Sequence, residues 1–112
     1  MRFQQRNWDK YFDGSNKKTT IRLHKSNIGH HKAYSGSYFK PILLGEFDII
    51  KVVEIRFGDL TEIETNLDGF KSLEDLKNEL QVLNKKTLSP DTPLYQHWTV
   101  NVINNNIVIA RE

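Results

Sequence analysis

The chain has 112 residues, the length of one domain, and can bury a single hydrophobic core without disulfide or metal support. The absence of cysteine excludes disulfides, a thiolate zinc site and a cysteine nucleophile. No apolar run follows Met1, and no stretch approaches the ~20 apolar residues that cross a bilayer. We therefore predict one cytoplasmic domain over residues 1–112 that makes no membrane contact.

The net charge of +2 hides an uneven distribution along the chain. Residues 1–40 carry nine Lys or Arg and two acidic residues, whereas residues 41–112 carry seven basic and twelve acidic ones. A basic segment on a nearly neutral domain is typical of a surface that faces phosphates. A solvated face without any partner produces the same pattern, so charge alone leaves both interpretations open.

The first forty residues are predicted to contain a short helix, a strand and a long loop. Residues 6–13 place their apolar side chains on one helical face, and Gly14 follows as a stop. Successive β-branched residues favour a strand over Thr19 to Leu23. Residues 24–39 are predicted to form a loop, and loops longer than about twelve residues are usually functional or disordered.

The central segment is predicted to hold two strands and a helical turn. Ile42 to Leu44 form the first strand, and Gly45 and Glu46 turn it. Phe47 to Phe57 is the longest strand candidate in the chain. Gly58 to Thr65 read as a turn followed by one helical turn.

The last part of the chain is predicted to form the clearest helix and a β-hairpin. The helix spans Ser72 to Leu83, with Ser72 as N-cap and leucines at helical spacing. Leu94 to Ile103 and residues 107–110 are the two strands, joined by an asparagine turn. Alternation on the first strand points three side chains to the core: Trp98, Val100 and Val102. This order of elements predicts an α+β domain around a curved, antiparallel sheet.

Three separated segments carry motifs that occur together in one family. After a short helix and a glycine turn, Lys17 to Arg22 read as a lysine followed by a Thr-x-Arg strand. Phe57 to Glu62 contain a Leu-Thr-Glu turn, and Asp68 to Lys77 an acidic-Gly-Phe step and a Ser-Leu-x-x-Leu helix. Thr92 to Tyr95 lead into the last strands as a weaker match. In this combination the chain resembles the ASCH domain family, over most of its length except residues 24–39.

The resemblance implies a fold and a class of ligand. The fold is PUA-like, a curved, mostly antiparallel β-barrel with two or three short flanking helices. Its cleft is lined by the Lys/Thr segment and by the acidic turn. Most members of the family are inferred to bind RNA. Some resemble a small amidohydrolase that removes the acetyl group from acetylated cytidine without a cofactor.

The resemblance also implies a catalytic set of Lys17, Thr20 and Asp68. The chain has Asp68 where the enzymes have glutamate, and a slip of one residue puts Lys18 in the lysine's place. A desolvated lysine can deprotonate the threonine or a water, and the carboxyl group can pass the proton to the leaving amine. The alternative is that Lys17 pairs with phosphate or solvent, Thr20 is a strand residue and Asp68 forms a turn before Gly69.

A wider group of residues is predicted to contact RNA or a modified nucleoside. Cationic side chains hold phosphates, and aromatic faces stack on bases; the candidates are Lys17, Lys18, Arg22, Lys25, Lys32, Tyr34 and Tyr38. The alternative for the tyrosines is that they fold back over the sheet. His24, His30 and His31 match no zinc-ligand spacing, so no metal site is predicted.

Three functions are therefore compatible with the sequence. The first is an RNA- or modified-nucleoside-binding domain with a Lys/Thr/Arg-lined cleft. The second is an amidohydrolase that deacylates acetylated cytidine. The third is a protein-binding adaptor that contacts its partner through the acidic half of the chain and binds no nucleic acid.

Overall fold

The computed structural model describes residues 1–105. In chain order the elements are α1 (Gln5–Asp9), β1 (Thr19–Arg22), β2 (Gly29–Gly36), β3 (Pro41–Arg56), a 3₁₀ turn (Phe57–Asp59), α2 (Glu62–Leu67), α3 (Leu73–Asn84) and β4 (Pro93–Asn104). The strand predicted over residues 107–110 lies outside the described part of the chain. None of the helices within residues 1–105 is long and apolar enough to cross a membrane.

The four strands form one antiparallel sheet in the order β1-β4-β3-β2. The predicted α+β class and antiparallel sheet are therefore confirmed, as are the short flanking helices. The predicted closed barrel is wrong for the described residues, because closure requires the two edge strands to pair and β1 pairs only with β4. Register shifts in β2 and β3 mark bulges, which bend and twist the strands.

The loop predicted over residues 24–39 is wrong for its central half, which is β2. The strand pairs with β3 from Gly29 opposite Ile49 to Gly36 opposite Pro41. Only Ala33 in this strand is fully buried, so both of its faces carry mostly polar or exposed side chains. The strand is therefore specified by the hydrogen bonds of its neighbour and not by an alternating pattern of its own.

The turn predicted at Gly45 and Glu46 is also wrong, because β3 runs through both residues. A Cβ atom on Gly45 would overlap the backbone carbonyl oxygen of Ile103 and lie 2.7 Å from Cζ2 of Trp8. Glycine is required here because β4 and the indole ring approach the backbone closely, not because the chain reverses.

Gly45→Ala is expected to lower the free energy of unfolding by about 3 kcal/mol, because the added methyl group meets backbone that cannot move aside. Urea unfolding followed by circular dichroism measures this loss. Gly14→Ala is the matched control: nothing lies within 4 Å of its added Cβ, and only its φ of +93° opposes the change. The control should lose about 1–2 kcal/mol. Equal losses in the two variants would contradict the close-packing explanation.

The helices follow their local signals, with shifted ends. α1 ends earlier than predicted, and Tyr11 and Phe12 lie in the turns after it. The Ser72 hydroxyl accepts a hydrogen bond from the backbone N–H of Asp75, so the predicted N-cap of α3 is confirmed. α2 begins with a full capping box between Thr61 and Glu64.

The core consists of two clusters. The aliphatic cluster, between α3 and one end of the sheet, comprises Ile21, Phe57, Leu60, Leu76, Leu80, Leu88 and Leu94. The aromatic cluster, around α1, comprises Phe3, Trp8, Ala33, Leu44, Phe47 and Ile49. Trp8 is fully buried and its ring meets those of Phe3 and Phe47 in edge-on or tilted contacts.

The core face predicted for β4 holds for Val102, which packs against the aromatic cluster, and is wrong for Trp98 and Val100. Its buried side chains are Leu94, Gln96, His97 and Thr99, whereas Trp98 and Val100 are half-buried. The register with β3 shifts twice along this strand. β4 also lies between β1 and β3, so adjacent residues such as Gln96 and His97 are buried on both of its faces and strict alternation does not hold.

Candidate functional site

A cavity of about 450 Å³ lies where the two core clusters meet. The aromatic cluster contributes Phe3 to its lining, and the aliphatic cluster contributes Ile21, Leu76 and Leu80. Nine polar or charged residues also line it: Arg2, Gln4, Asn7, Lys17, Thr20, Arg22, Asp68, Glu79 and Asn84. The cavity therefore combines apolar walls with a concentration of groups that can bind or move protons.

Two contacts bring the start of β1 to the end of α2, about fifty residues further along the chain. The backbone N–H of Lys18 donates to the carbonyl oxygen of Leu67 at 2.7 Å. Gly69 then turns the chain with a φ of +84°, and a Cβ atom there would lie 3.2 Å from Cβ of Lys17. Glycine thus permits both the turn and the close approach that place Asp68 beside Lys17.

Lys17 and Asp68 form a buried ion pair on the cavity wall. The Lys17 Nζ atom lies 3.2 Å from Asp68 Oδ1 and donates to the Asp68 carbonyl oxygen at 3.2 Å. The two side chains are only 2% and 6% exposed. Thr19 Oγ1 donates a further hydrogen bond to Asp68 Oδ1 at 3.2 Å. Burial lowers the pKa of Lys17 below its ordinary value, and the attraction of Asp68 offsets part of that change.

Arg22 holds the hydroxyl group of Thr20. Its Nε atom donates to Thr20 Oγ1 at 3.0 Å, and its Nη1 atom donates to the carbonyl oxygen of Arg2. The guanidinium group lies over the ring of Phe3, 4.4 Å from the centroid. Burial lowers the pKa of Arg22, yet a guanidinium remains protonated in proteins. The Thr20 oxygen is therefore held by a fixed cation and not by Lys17.

Tyr11 packs behind the ion pair. The Lys17 ammonium group lies 5.4 Å from the centroid of its ring. Thr99 Oγ1 is 3.0 Å from the Tyr11 hydroxyl oxygen and donates a hydrogen bond to it. Burial raises the pKa of Tyr11, so the phenol stays protonated and adds no negative charge beside Lys17.

The structure brings together four of the residues predicted for the site: Lys17, Thr20, Arg22 and Asp68 all line the cavity. Lys18, the alternative lysine, is exposed and lies off the cavity lining.

The remaining predicted contacts lie outside the cavity lining: Lys25, Lys32, Tyr34 and Tyr38. Tyr34 is half-buried, and its backbone pairs with the N-terminal residues. Tyr38 is 85% exposed, and the guanidinium carbon of Arg2 lies 5.1 Å from the centroid of its ring. Because Arg2 lines the cavity, Tyr38 is close to its edge.

Two lining residues, Asn7 and Glu79, were not predicted. Arg6 Nε and Nη2 donate to the two Glu79 carboxylate oxygens at 2.7 and 2.6 Å, and Asn7 Nδ2 donates at 3.0 Å. The hydrogen bond from Arg6 lowers the pKa of Glu79, so it stays ionised. This network joins α1 to α3, and no local motif signals it because its members lie more than seventy residues apart.

Comparison with known proteins informs the fold only. No protein-family model and no curated protein matches the chain. Among solved structures, it is similar to the crystal structure of protein EF3133 from Enterococcus faecalis V583, assigned to the family DUF984. The TM-score is 0.61 with 13% sequence identity, over 96% of this chain and 72% of that chain. At this identity the likeness shows a shared fold.

Proposed function

We propose that the chain is an ASCH-like domain that binds a modified nucleoside in the cavity. The convergence of Lys17, Thr20, Arg22 and Asp68 on one cavity carries this proposal. Its volume of about 450 Å³ falls within the roughly 300–1,000 Å³ of small-ligand sites. Strongly perturbed, buried charges that line a cleft are typical of functional sites.

The lining suits a nucleoside because it offers two kinds of surface. Leu23, Phe70 and Leu76 provide apolar contact for the face of a planar base. Arg22 and Asp68 provide a donor and an acceptor for the hydrogen-bonding edge of the base or for the sugar. The predicted phosphate and stacking residues on β2 and its flanking loops lie outside this lining, which favours a free nucleoside over a long RNA.

Titration with cytidine and with cytidine acetylated on its exocyclic amine, followed by calorimetry, tests the proposal. Arg22→Ala is expected to weaken binding by about 10- to 100-fold, since a hydrogen bond to a charged group contributes about 1.5–3 kcal/mol. Lys18→Ala is the matched control, because that side chain is exposed and off the cavity lining. Its affinity should equal that of the wild type, and circular dichroism verifies that both variants fold.

The salt dependence of the binding affinity distinguishes a nucleoside ligand from an RNA ligand. A neutral nucleoside binds with an affinity independent of salt, whereas single-stranded RNA shows a log–log slope of about −0.7 per phosphate contacted. Tight, salt-dependent binding of RNA with no binding of nucleosides would overturn the proposal in favour of an RNA surface. A failure of both ligands to bind would leave the protein-binding adaptor as the surviving function.

A second candidate, deacylation of the bound nucleoside, is favoured by the lowered pKa of buried Lys17. A neutral Lys17 amine can take the proton of Thr20 or of a water. If the attacking oxygen is that of water, the C–N bond of the amide breaks, acetate forms, and the proton taken up by Lys17 passes through Asp68 to the leaving amine of cytidine. If it is that of Thr20, the acetyl group first forms an ester on Thr20, and a water deprotonated by Lys17 then hydrolyses this ester to acetate. The Arg22 Nε–H bond to Thr20 Oγ1 would stabilise negative charge on that oxygen.

A further inference from the structure

His97 lies at the centre of β4, directly opposite Thr20 in the register with β1, and its side chain is 0% exposed. Its Nδ1 atom lies 3.1 Å from the backbone carbonyl oxygen of Thr20. Its Nε2 atom lies 2.9 Å from the backbone nitrogen of Ser26, in the connection between β1 and β2 (residues 23–28). One imidazole ring therefore joins a site residue to the next segment of the chain.

The two contacts determine which nitrogen carries the proton. The backbone N–H of Ser26 can only donate, so Nε2 must accept and carries no hydrogen. The carbonyl oxygen of Thr20 can only accept, so Nδ1 carries the hydrogen and donates it. A second proton, on Nε2, would face the Ser26 N–H and turn the hydrogen bond into a contact between two donors.

We propose that His97 is a positioning residue for the cavity. Its neutral ring forms two hydrogen bonds, here called the joint, that hold the connection between β1 and β2 against the backbone of Thr20. Protonation of the ring breaks the hydrogen bond to Ser26 and so opens the joint. The effect on ligand binding rests on the proposed function, whereas the opening itself does not. Leu23, in the same connection, lines the cavity, and the Thr20 hydroxyl accepts from Arg22. Movement of residues 23–28 therefore alters one wall of the ligand site.

The charges around His97 disfavour the addition of a second proton to its ring. Arg22 on β1 and His31 on β2 are the charged or titratable groups that disfavour it, and Val52, opposite on β3, is uncharged. Burial is the largest cause that lowers the pKa of His97 below the ordinary value of a histidine; the hydrogen bonds to backbone carbonyl groups offset part of it, and the charge of Arg22 adds to it. The ring is therefore neutral near pH 7, and the joint opens only under more acidic conditions.

A second histidine, His31 on β2, contacts the same connection and provides an internal contrast. His31 Nε2 lies 2.7 Å from the carbonyl oxygen of Asn27, next to Ser26. That nitrogen donates, and it continues to donate after the ring takes up a second proton. At acidic pH the hydrogen bond between His97 and Ser26 is therefore lost, while the hydrogen bond between His31 and Asn27 remains.

Nitrogen-resolved NMR of the wild-type protein between pH 7.5 and 4.5 tests the joint without any ligand. We expect the Nδ1–H tautomer of His97 at neutral pH, and loss of protection of the Ser26 amide from hydrogen exchange at the pH where His97 takes up its proton. The opposite tautomer, or a Ser26 amide that remains protected after His97 is protonated, would overturn the proposal.

Two substitutions separate the two hydrogen bonds. His97→Gln keeps an acceptor oxygen near the position of Nε2, and His97→Asn keeps a donor near that of Nδ1. In the glutamine variant the Ser26 amide should stay protected in acid, whereas in the asparagine variant it should be unprotected at every pH. Loss of Ser26 protection in both variants at neutral pH, with the wild type also insensitive to pH, contradicts the assignment.

Binding of acetylated cytidine completes the test. In the wild type the affinity should fall by about tenfold for each pH unit below the pKa of His97, and in His97→Gln it should not follow that titration. A nucleoside that fails to bind at any pH overturns the proposed function, and the NMR titration then judges the joint by itself. Binding that is equally insensitive to pH in both proteins, with the joint opening as expected, overturns the coupling between joint and site.

Discussion

Lys17→Met is expected to reduce the turnover of acetylated cytidine by about 10²–10⁴-fold, the usual contribution of a positioned acid or base. Methionine fills much of the space of the lysine side chain but has no basic nitrogen, so the cavity wall remains while the proton acceptor is lost. Release of acetate measures the rate. In the wild type the rate should rise with pH through the pKa of Lys17, which burial holds below its ordinary value, because only the neutral amine accepts a proton.

Lys18→Met is the matched control for this loss, since Lys18 is the adjacent lysine and its side chain is exposed. Its turnover should stay within about threefold of the wild type, as surface changes away from a site usually have small effects. Turnover by Lys17→Met at the rate of the control would remove Lys17 from the reaction. A wild-type protein that binds but never deacetylates the nucleoside would leave the binding function and exclude the enzyme.

Asp68→Asn is expected to lower the free energy of unfolding by about 3–5 kcal/mol at pH 7, the cost of breaking a buried ion pair from one side. Asparagine has nearly the same volume as aspartate, so the loss reports charge and not a cavity. The Lys17 ammonium, 2% exposed, would be left without its counter-ion, whereas the amide oxygen of asparagine can still accept the hydrogen bond from Thr19. Urea unfolding measures the change, which should shrink as pH rises because Lys17 can then release its proton.

The double variant Lys17→Met/Asp68→Asn supplies the control for this prediction. Removing both charges leaves nothing uncompensated, so the double variant should be more stable than Asp68→Asn alone. If the two losses simply add, the ion pair contributes nothing specific. If Asp68→Asn is as stable as the wild type, Lys17 is already neutral at pH 7 and the ion pair is absent.

The clearest elements of the fold were predictable because their signals are local. Ser72 caps α3 three residues before the N–H that it binds, and the leucines that follow pack within two turns of one another. The strands β1 and β4 were found for a similar reason, since β-branched and aromatic residues within each segment favour extended backbone. In such cases a short stretch of sequence contains both the residue and the neighbours that determine its conformation.

The misplaced elements depend on residues far along the chain. β2 exists because β3 offers it a row of hydrogen-bonding groups, although its own side chains show no alternation. Gly45 was interpreted as a turn because glycine is common in turns. Its actual cause is the approach of Ile103 and Trp8, which are 58 and 37 residues distant.

The sequence by itself determined the chemical candidates: a lysine, a threonine, an arginine and an aspartate in motifs that resemble one family. It also determined the α+β class, because hydrophobic spacing along each segment is a property of that segment alone. Only the tertiary structure decided which of two adjacent lysines belongs to the cavity. Lys17 and Thr19, two positions apart, both reach Asp68, while Lys18 between them points to solvent. The physical reason is that an extended chain sends neighbouring side chains to opposite faces, and only the packing of α2 against β1 defines which face is buried.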